Sequence, residues 1–117
     1  MEWEIILCDE FEIEFADFEE KLQDELLAHL IVLHKFGPAL GRPLVDSLKQ
    51  SKSGNMKELR FSYDKQPHRY FFAFDPERRA IILVGGSKAN DKKFYKKLIP
   101  IADERFRNHL KKQEGRK

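Results

Sequence analysis

The 117-residue chain is long enough for one domain with a real core and too short for two. Its 41% hydrophobic content, with ten phenylalanines, excludes a disordered chain, and a lone cysteine, Cys8, excludes an intramolecular disulfide and fits a reducing compartment. The net charge of +2 conceals a division: residues 1–36 hold 11 acids against Lys21 and Lys35, a balance of −9, while residues 37–117 hold 20 bases against 9 acids, a balance of +11. Such polarity fits one side that meets a polyanion and a separate acidic side. No secretory signal or membrane-spanning run is legible, so a cytoplasmic protein without a membrane partner is expected.

In chain order, Trp3 to Cys8 reads as a first strand closed by Asp9-Glu10. Phe11 to Phe15 alternates apolar residues with glutamate and reads as an extended lead-in or a strand extension. Asp17 reads as an N-cap with Glu20 three residues on. Phe18, Leu22, Leu26, Leu30 and Leu33 then recur at helical spacing, with Leu27 and Ile31 widening the apolar stripe. Phe36-Gly37-Pro38 stops this helix. His29 and His34 do not share a face, and Cys8, His68 and His109 are scattered, so no metal or cofactor is expected. Leu40 to Leu48 reads as a connector with one helical turn around Leu44 to Leu48, and Gln50 to Gly54 as a polar loop.

Asn55 to Lys88 reads as a three-stranded antiparallel meander. Leu59, Phe61 and Tyr63 alternate with Glu58, Arg60 and Ser62; Tyr70, Phe72 and Phe74 alternate with Arg69, Phe71 and Ala73; Ala80 to Val84 is a doubly buried run. Taking Asp64 to Pro67 as a four-residue loop pairs Tyr63 with His68, Phe61 with Tyr70 and Leu59 with Phe72. Arg60 and Arg69 become diagonal neighbours on the other face, and pairing Asp75 with Ala80 brings Gly86 opposite Arg69 with Lys88 just beyond. Two guanidiniums, an ammonium and a bare Gly85-Gly86 backbone suit a phosphate; a solvated basic sheet face is the plainer alternative. After the meander, Asn90 or Asp91 caps a helix carrying Phe94, Tyr95 and Leu98, which Pro100 kinks or divides before it continues to about Lys111. The order predicts an α+β domain over residues 1–117: a small antiparallel sheet of about four strands with helices packed on one face. Only the tail, 111–117, is low in complexity.

The segment Phe36-Gly-Pro-Ala-Leu-Gly-Arg-Pro-Leu-Val-Asp-Ser-Leu-Lys49, followed by Gly54-Asn-Met-Lys-Glu-Leu-Arg60, resembles the RelE/ParE toxin superfamily, and more narrowly its HigB-like, phage-derived branch. Arg69-Tyr70, Ala73-Phe74-Asp75, Leu83-Val-Gly-Gly86 with Lys88, and Ile99-Pro-Ile-Ala-Asp103 extend the resemblance. It implies a RelE-like fold and the toxin of a type II toxin–antitoxin system. It also implies ribosome-dependent mRNA cleavage by metal-independent 2′-hydroxyl attack, and a helix-turn-helix antitoxin as partner besides the ribosome and mRNA. Carried over by motif, the catalytic candidates are Lys57, Arg60, Arg69, Lys88 and Tyr95, with Lys52, Lys92 and Lys93 as RNA-binding candidates. The chain departs from the family where Ser53-Gly54 replaces a frequent histidine and Ser87 a frequent aspartate. Two alternatives keep the fold: a ParE-like poison that binds DNA gyrase, and a catalytically degraded RNA- or antitoxin-binding module. Because RNA repels acid, the acidic helix should sit away from the active face.

Overall fold

The computed structural model describes residues 2–115. The outermost ends of the span 1–117, including the last two residues of the tail, lie outside them. The chain forms β1 (Glu4–Leu7), α1 (Asp9–Ala16), α2 (Glu20–Phe36), a 3-10 turn (Gly37–Ala39), β2 (Val45–Ser47), β3 (Lys57–Tyr63), β4 (Gln66–Phe74), β5 (Arg79–Ser87) and α3 (Phe94–Gly115). The strands make one sheet in the order β1-β5-β4-β3-β2, antiparallel except where β1 lies parallel to β5. No helix among the described residues is long and apolar enough to cross a membrane.

The expected α+β class is the one that forms, with five strands instead of about four. The fifth is β2: Val45–Ser47, expected near a helical turn, pairs with Lys57–Leu59 instead. Expectation and structure also part at Phe11–Phe15, which is helical. Phe11 and Phe15 are four apart, so a helix brings their rings together at 6.2 Å and buries Phe11, while Ile13 is left 71% exposed. Asp9, Glu10 and Glu12 occupy its first turn, where the helix dipole favours acids. Asp17 is not the cap of α2 but ends α1, its amide donating to the Glu14 carbonyl while the Phe18 amide donates to that of Phe15; Glu19 precedes α2 without a side-chain cap.

α2 buries Leu26, Leu30 and Leu33 and ends where the stop signal lies. Gly37 takes φ +54°, and any Cβ there would fall 2.2 Å from the Trp3 ring, so only glycine fits. One sheet face carries Tyr70, whose ring meets Phe11 and Phe18, and Phe61, which stacks on His29 at 4.4 Å. Phe71 points to the opposite face and meets Phe94 and Tyr95 of α3. Thus α1 and α2 cover one face and α3 the other, so the helices are not confined to a single face. α3 also runs unbroken through exposed Pro100, where a kink or a second helix was expected.

Tyr70, Phe71, Phe72, Leu59, Ile81, Ile82 and Leu83 are fully buried, each contributing about 1.5–3 kcal/mol in removing apolar surface from water. β5 carries one extra residue, Leu83, because Phe72 faces Ile82 while Phe71 faces Val84. The Leu83 carbonyl accepts from Arg105 Nη1 at 2.8 Å. The same guanidinium grips both Glu14 oxygens at 2.8 and 2.6 Å, tying α3 to α1 at the bulge.

Candidate functional site

The site is built on the α3 face, at the end of β3, β4 and β5. Asp64 and Lys65 both have positive φ and close a two-residue turn, so Tyr63 pairs with Gln66, Phe61 with His68, Leu59 with Tyr70 and Arg60 with Arg69. This register is two residues from the expected one. A shift of two preserves which face each side chain occupies, and it converts the arginines from diagonal to directly opposed. At the next turn Phe74, not Asp75, pairs with Ala80, and the Leu83 bulge restores the offset so that Gly86 faces Arg69 as expected.

Arg69 is only 9% exposed, and its Nη1 donates to the His68 carbonyl at 2.8 Å. Its Nε stands 3.7 Å from Glu58 Oε1, beyond hydrogen-bond distance, and has no partner. Arg60 Nε is buried without a partner as well, and its Nη1 lies 3.9 Å from Asp46 Oδ2. Arg42 reaches the same carboxylate at 3.4 Å. Tyr95, in the first turn of α3, donates its hydroxyl to Glu58 Oε1 at 2.7 Å, and Lys88 Nζ lies 5.3 Å from its ring centroid. Burial raises the Tyr95 pKa and the bond to Glu58 raises it further, so the phenol keeps its proton through neutral pH. Burial, then the adjacent Arg69 charge, lowers the pKa of His68, whose Nδ1 is 2.9 Å from the Tyr70 hydroxyl on the other face. The α3 N-terminus opens beside this cluster and adds a positive dipole end.

Gly85 and Gly86 differ. A Cβ at Gly85 would lie 2.3 Å from Tyr70 Cδ1 and 2.4 Å from the Arg69 carbonyl oxygen, so Gly85 is a packing requirement. A Cβ at Gly86 would meet nothing, leaving open space directly across from Arg69. The arrangement therefore offers two buried N–H groups without acceptors, a nearby ammonium, and a linked carboxylate and phenol beside an accessible backbone.

The model of the Gp49-like phage-derived protein family matches residues 13–107. The chain belongs to this family. Among its relatives is a Mycobacterium tuberculosis protein named as toxin HigB3, 41% identical over 112 residues, 95% of this chain and 96% of that one. The M. tuberculosis protein named as toxin HigB2 is 46% identical over 94 residues, 79% of this chain and 47% of that longer protein. The fold is similar to that of free Escherichia coli toxin RelE, in a double arginine-to-alanine mutant, at a TM-score of 0.63 and 11% identity, covering 90% of this chain and 98% of that one. This family chain thus combines a RelE-like fold with close sequence similarity to HigB toxins.

The site candidates divide by position. Arg60, Arg69, Lys88 and Tyr95 converge. Lys57 does not: it shares the α2 face with Leu59 and Phe61, and neither β2 nor β4 has the bulge beside it that would turn it around. Lys92 and Lys93 are exposed in the turn before α3, with the Lys93 amide held by Asp91 Oδ1 at 3.0 Å. Lys52 is exposed in a loop organised by Asp103 of α3, about two turns from Tyr95. Asp103 accepts from the Ser51 hydroxyl at 2.5 Å, the Ser53 hydroxyl at 2.7 Å and the Lys52 amide at 3.0 Å. Burial alone would raise the Asp103 pKa, but these donors outweigh it and hold the carboxyl below its ordinary value. Ser53 is therefore a loop anchor here. Sequence reasoning missed two members of the site, Glu58 and Asp46. The alternation of Glu58 with buried residues was legible, whereas Asp46 lay in an expected helical turn, and a carboxylate in a cationic face gave no signal of what it neutralises.

Proposed function

We propose that this chain is a toxin of a toxin–antitoxin system that cleaves mRNA on the ribosome without a metal ion. The observation that carries the proposal is the opposed Arg60–Arg69 pair with two buried, acceptorless Nε groups beside open space at Gly86. A phosphodiester supplies the missing acceptors, and the guanidiniums with Lys88 neutralise the charge that grows on the phosphorus oxygens as the 2′-hydroxyl attacks. Glu58 and Tyr95, joined at 2.7 Å, give the cluster a proton acceptor and a proton donor in contact, a role for which no histidine of the chain is placed. The similarity to HigB toxins supports the toxin reading and with it an antitoxin as partner in the cytoplasm. Lys52, Lys92 and Lys93 extend the basic surface towards RNA phosphates.

Inducing the protein alone and sequencing RNA ends tests this. New 5′ ends inside translated codons, reproduced on programmed ribosomes, are the expected result. Growth arrest with intact mRNA and inhibited DNA gyrase would overturn it in favour of a ParE-like role.

A further inference from the structure

Two members of the α2 stripe fail to reach the core. Leu27 and Ile31 lie one helical turn apart and stay 44% and 67% exposed. With Leu30 and His34 they form one wall of a groove whose other wall is Glu4, Ile5 and Leu7 of β1. β1 is a sheet edge: β5 pairs with one side, and no described residue pairs with the other. The Cys8 amide donates to the Ile82 carbonyl at 3.0 Å, so by the two-residue period of a strand the amides of Glu4 and Ile6 also turn towards β5. The N–H and C=O groups of Ile5 and Leu7 therefore point out from the free edge. A strand laid alongside would satisfy them, and its alternate side chains would drop onto Leu27 and Ile31.

Charge selects the occupant. Glu4 lines the groove, Glu2 is held by His34 at its end at 3.1 Å, and exposed Glu20 and Asp24 precede Leu27 along α2. A second copy would bring the same acids edge to edge, whereas a basic segment is drawn in. We propose that the β1 edge and the Leu27–Ile31 groove dock an extended, basic segment of a partner protein as a sixth strand, with two of its apolar side chains between β1 and α2. Resting on the toxin reading, that partner is the antitoxin. β1 is the sheet edge beyond β5 and the groove opens on the α2 face, so the docked strand leaves Arg60, Arg69 and Lys88 uncovered. Recognition of the partner and occlusion of the site are then separate tasks for separate segments.

The test uses the full chain and two synthetic heptapeptides, one alternating lysine with valine and one alternating glutamate with valine. The lysine peptide should bind at least tenfold more tightly, weaken with salt, and slow amide hydrogen exchange at Ile5 and Leu7. In the Leu27→Lys/Ile31→Lys variant, where both changes fall on exposed positions, its binding should drop at least tenfold. The proposal is overturned by no binding, by equal binding of both peptides, or by binding that leaves Ile5 and Leu7 unprotected. Self-association that protects those amides without peptide overturns it in favour of a second copy. RNA cleavage by the same double variant separates the two readings, because its retention leaves the catalytic assignment standing whatever the peptides do.

Discussion

Arg60 and Arg69 stand directly opposite one another on β3 and β4, both on the face covered by α3. Like charges so placed disfavour the sheet, and Glu58 and Asp46 offset the repulsion only from 3.7 and 3.9 Å. The pair is thus an unsatisfied feature that a bound anion relieves, as functional sites often are.

The two arginines should separate stability from activity. Arg60→Ala, at a partly exposed position with one long ion pair, should change stability by less than about 1 kcal/mol and reduce cleavage about 100-fold or more. Arg69→Ala leaves Glu58 buried without its cation and should cost about 3 kcal/mol as well as activity. Adding Glu58→Gln to Arg69→Ala should recover most of the stability and none of the cleavage. Denaturant midpoints and cleavage on programmed ribosomes read the two separately.

All three tyrosines should hold their protons unusually long. A hydrogen bond to Glu19 pushes Tyr63 up to about 12, and burial raises both Tyr70 and Tyr95. Their folded pKa values exceed the ordinary 10.0, so the stabilisation is fully present below pH 10 and is lost as pH rises towards the folded values. Ultraviolet titration should show little phenolate at pH 10 in the native protein, with unfolding accompanying its appearance. Glu58→Gln should shift Tyr95 back downward; an unchanged tyrosine titration would contradict the Glu58 contact.

On the acid side, Asp103 and Asp75 work in the opposite sense. For Asp75, burial is again outweighed, here by hydrogen bonds from His109 and Arg79. Both carboxyls lie below the ordinary 3.8, so their contribution is present above that pH and fades as pH falls through the folded values. Asp103→Asn should cost about 2 kcal/mol at neutral pH and give a flatter loss of stability below pH 4, as followed by urea unfolding. It should also free the Ser51–Ser53 loop, visible as faster amide exchange at Lys52.

Neighbouring glycines should give contrasting phenotypes. Gly85→Ala drives a methyl into the Tyr70 ring and the Arg69 carbonyl and should cost about 3 kcal/mol. Gly86→Ala enters open space but takes on a backbone at φ +159° that side chains rarely adopt, and should cost about 1 kcal/mol. If RNA approaches the backbone there, Gly86→Ala nevertheless slows cleavage; thermal melts and cleavage rates distinguish the cases.

Face assignment was legible because alternation alone decides it, and it survived a register that was two residues off. The register itself was hidden by the turn. Asp64-Lys65 adopts two left-handed residues without the glycine that usually announces such a turn, and Pro67 drew attention to the wrong place. Pro67 is tolerated inside β4 at a pair with Ser62 whose amide does not face β3. Alternation also misled: Phe11, Ile13 and Phe15 look like one strand face, and only packing against Phe18 and Tyr70 shows that the helical pair Phe11–Phe15 is the buried one. The Arg60, Arg69, Lys88 and Tyr95 grouping could be reached from residue types and motif order. The acids that complete it could not, because their meaning comes from distances between strands.

The parallel pairing of β1 with β5 imposes an order on synthesis. Glu4 finds its partner only when Arg79 exists, and the cationic face gains its phenol only when residue 95 follows. A nascent chain emerging N-terminus first can close the β3–β4 hairpin early but must carry the largely apolar strand β1 unpaired through most of translation. The cationic face of Arg60, Arg69 and Lys88 is thus completed by Tyr95 only when most of the chain has been made.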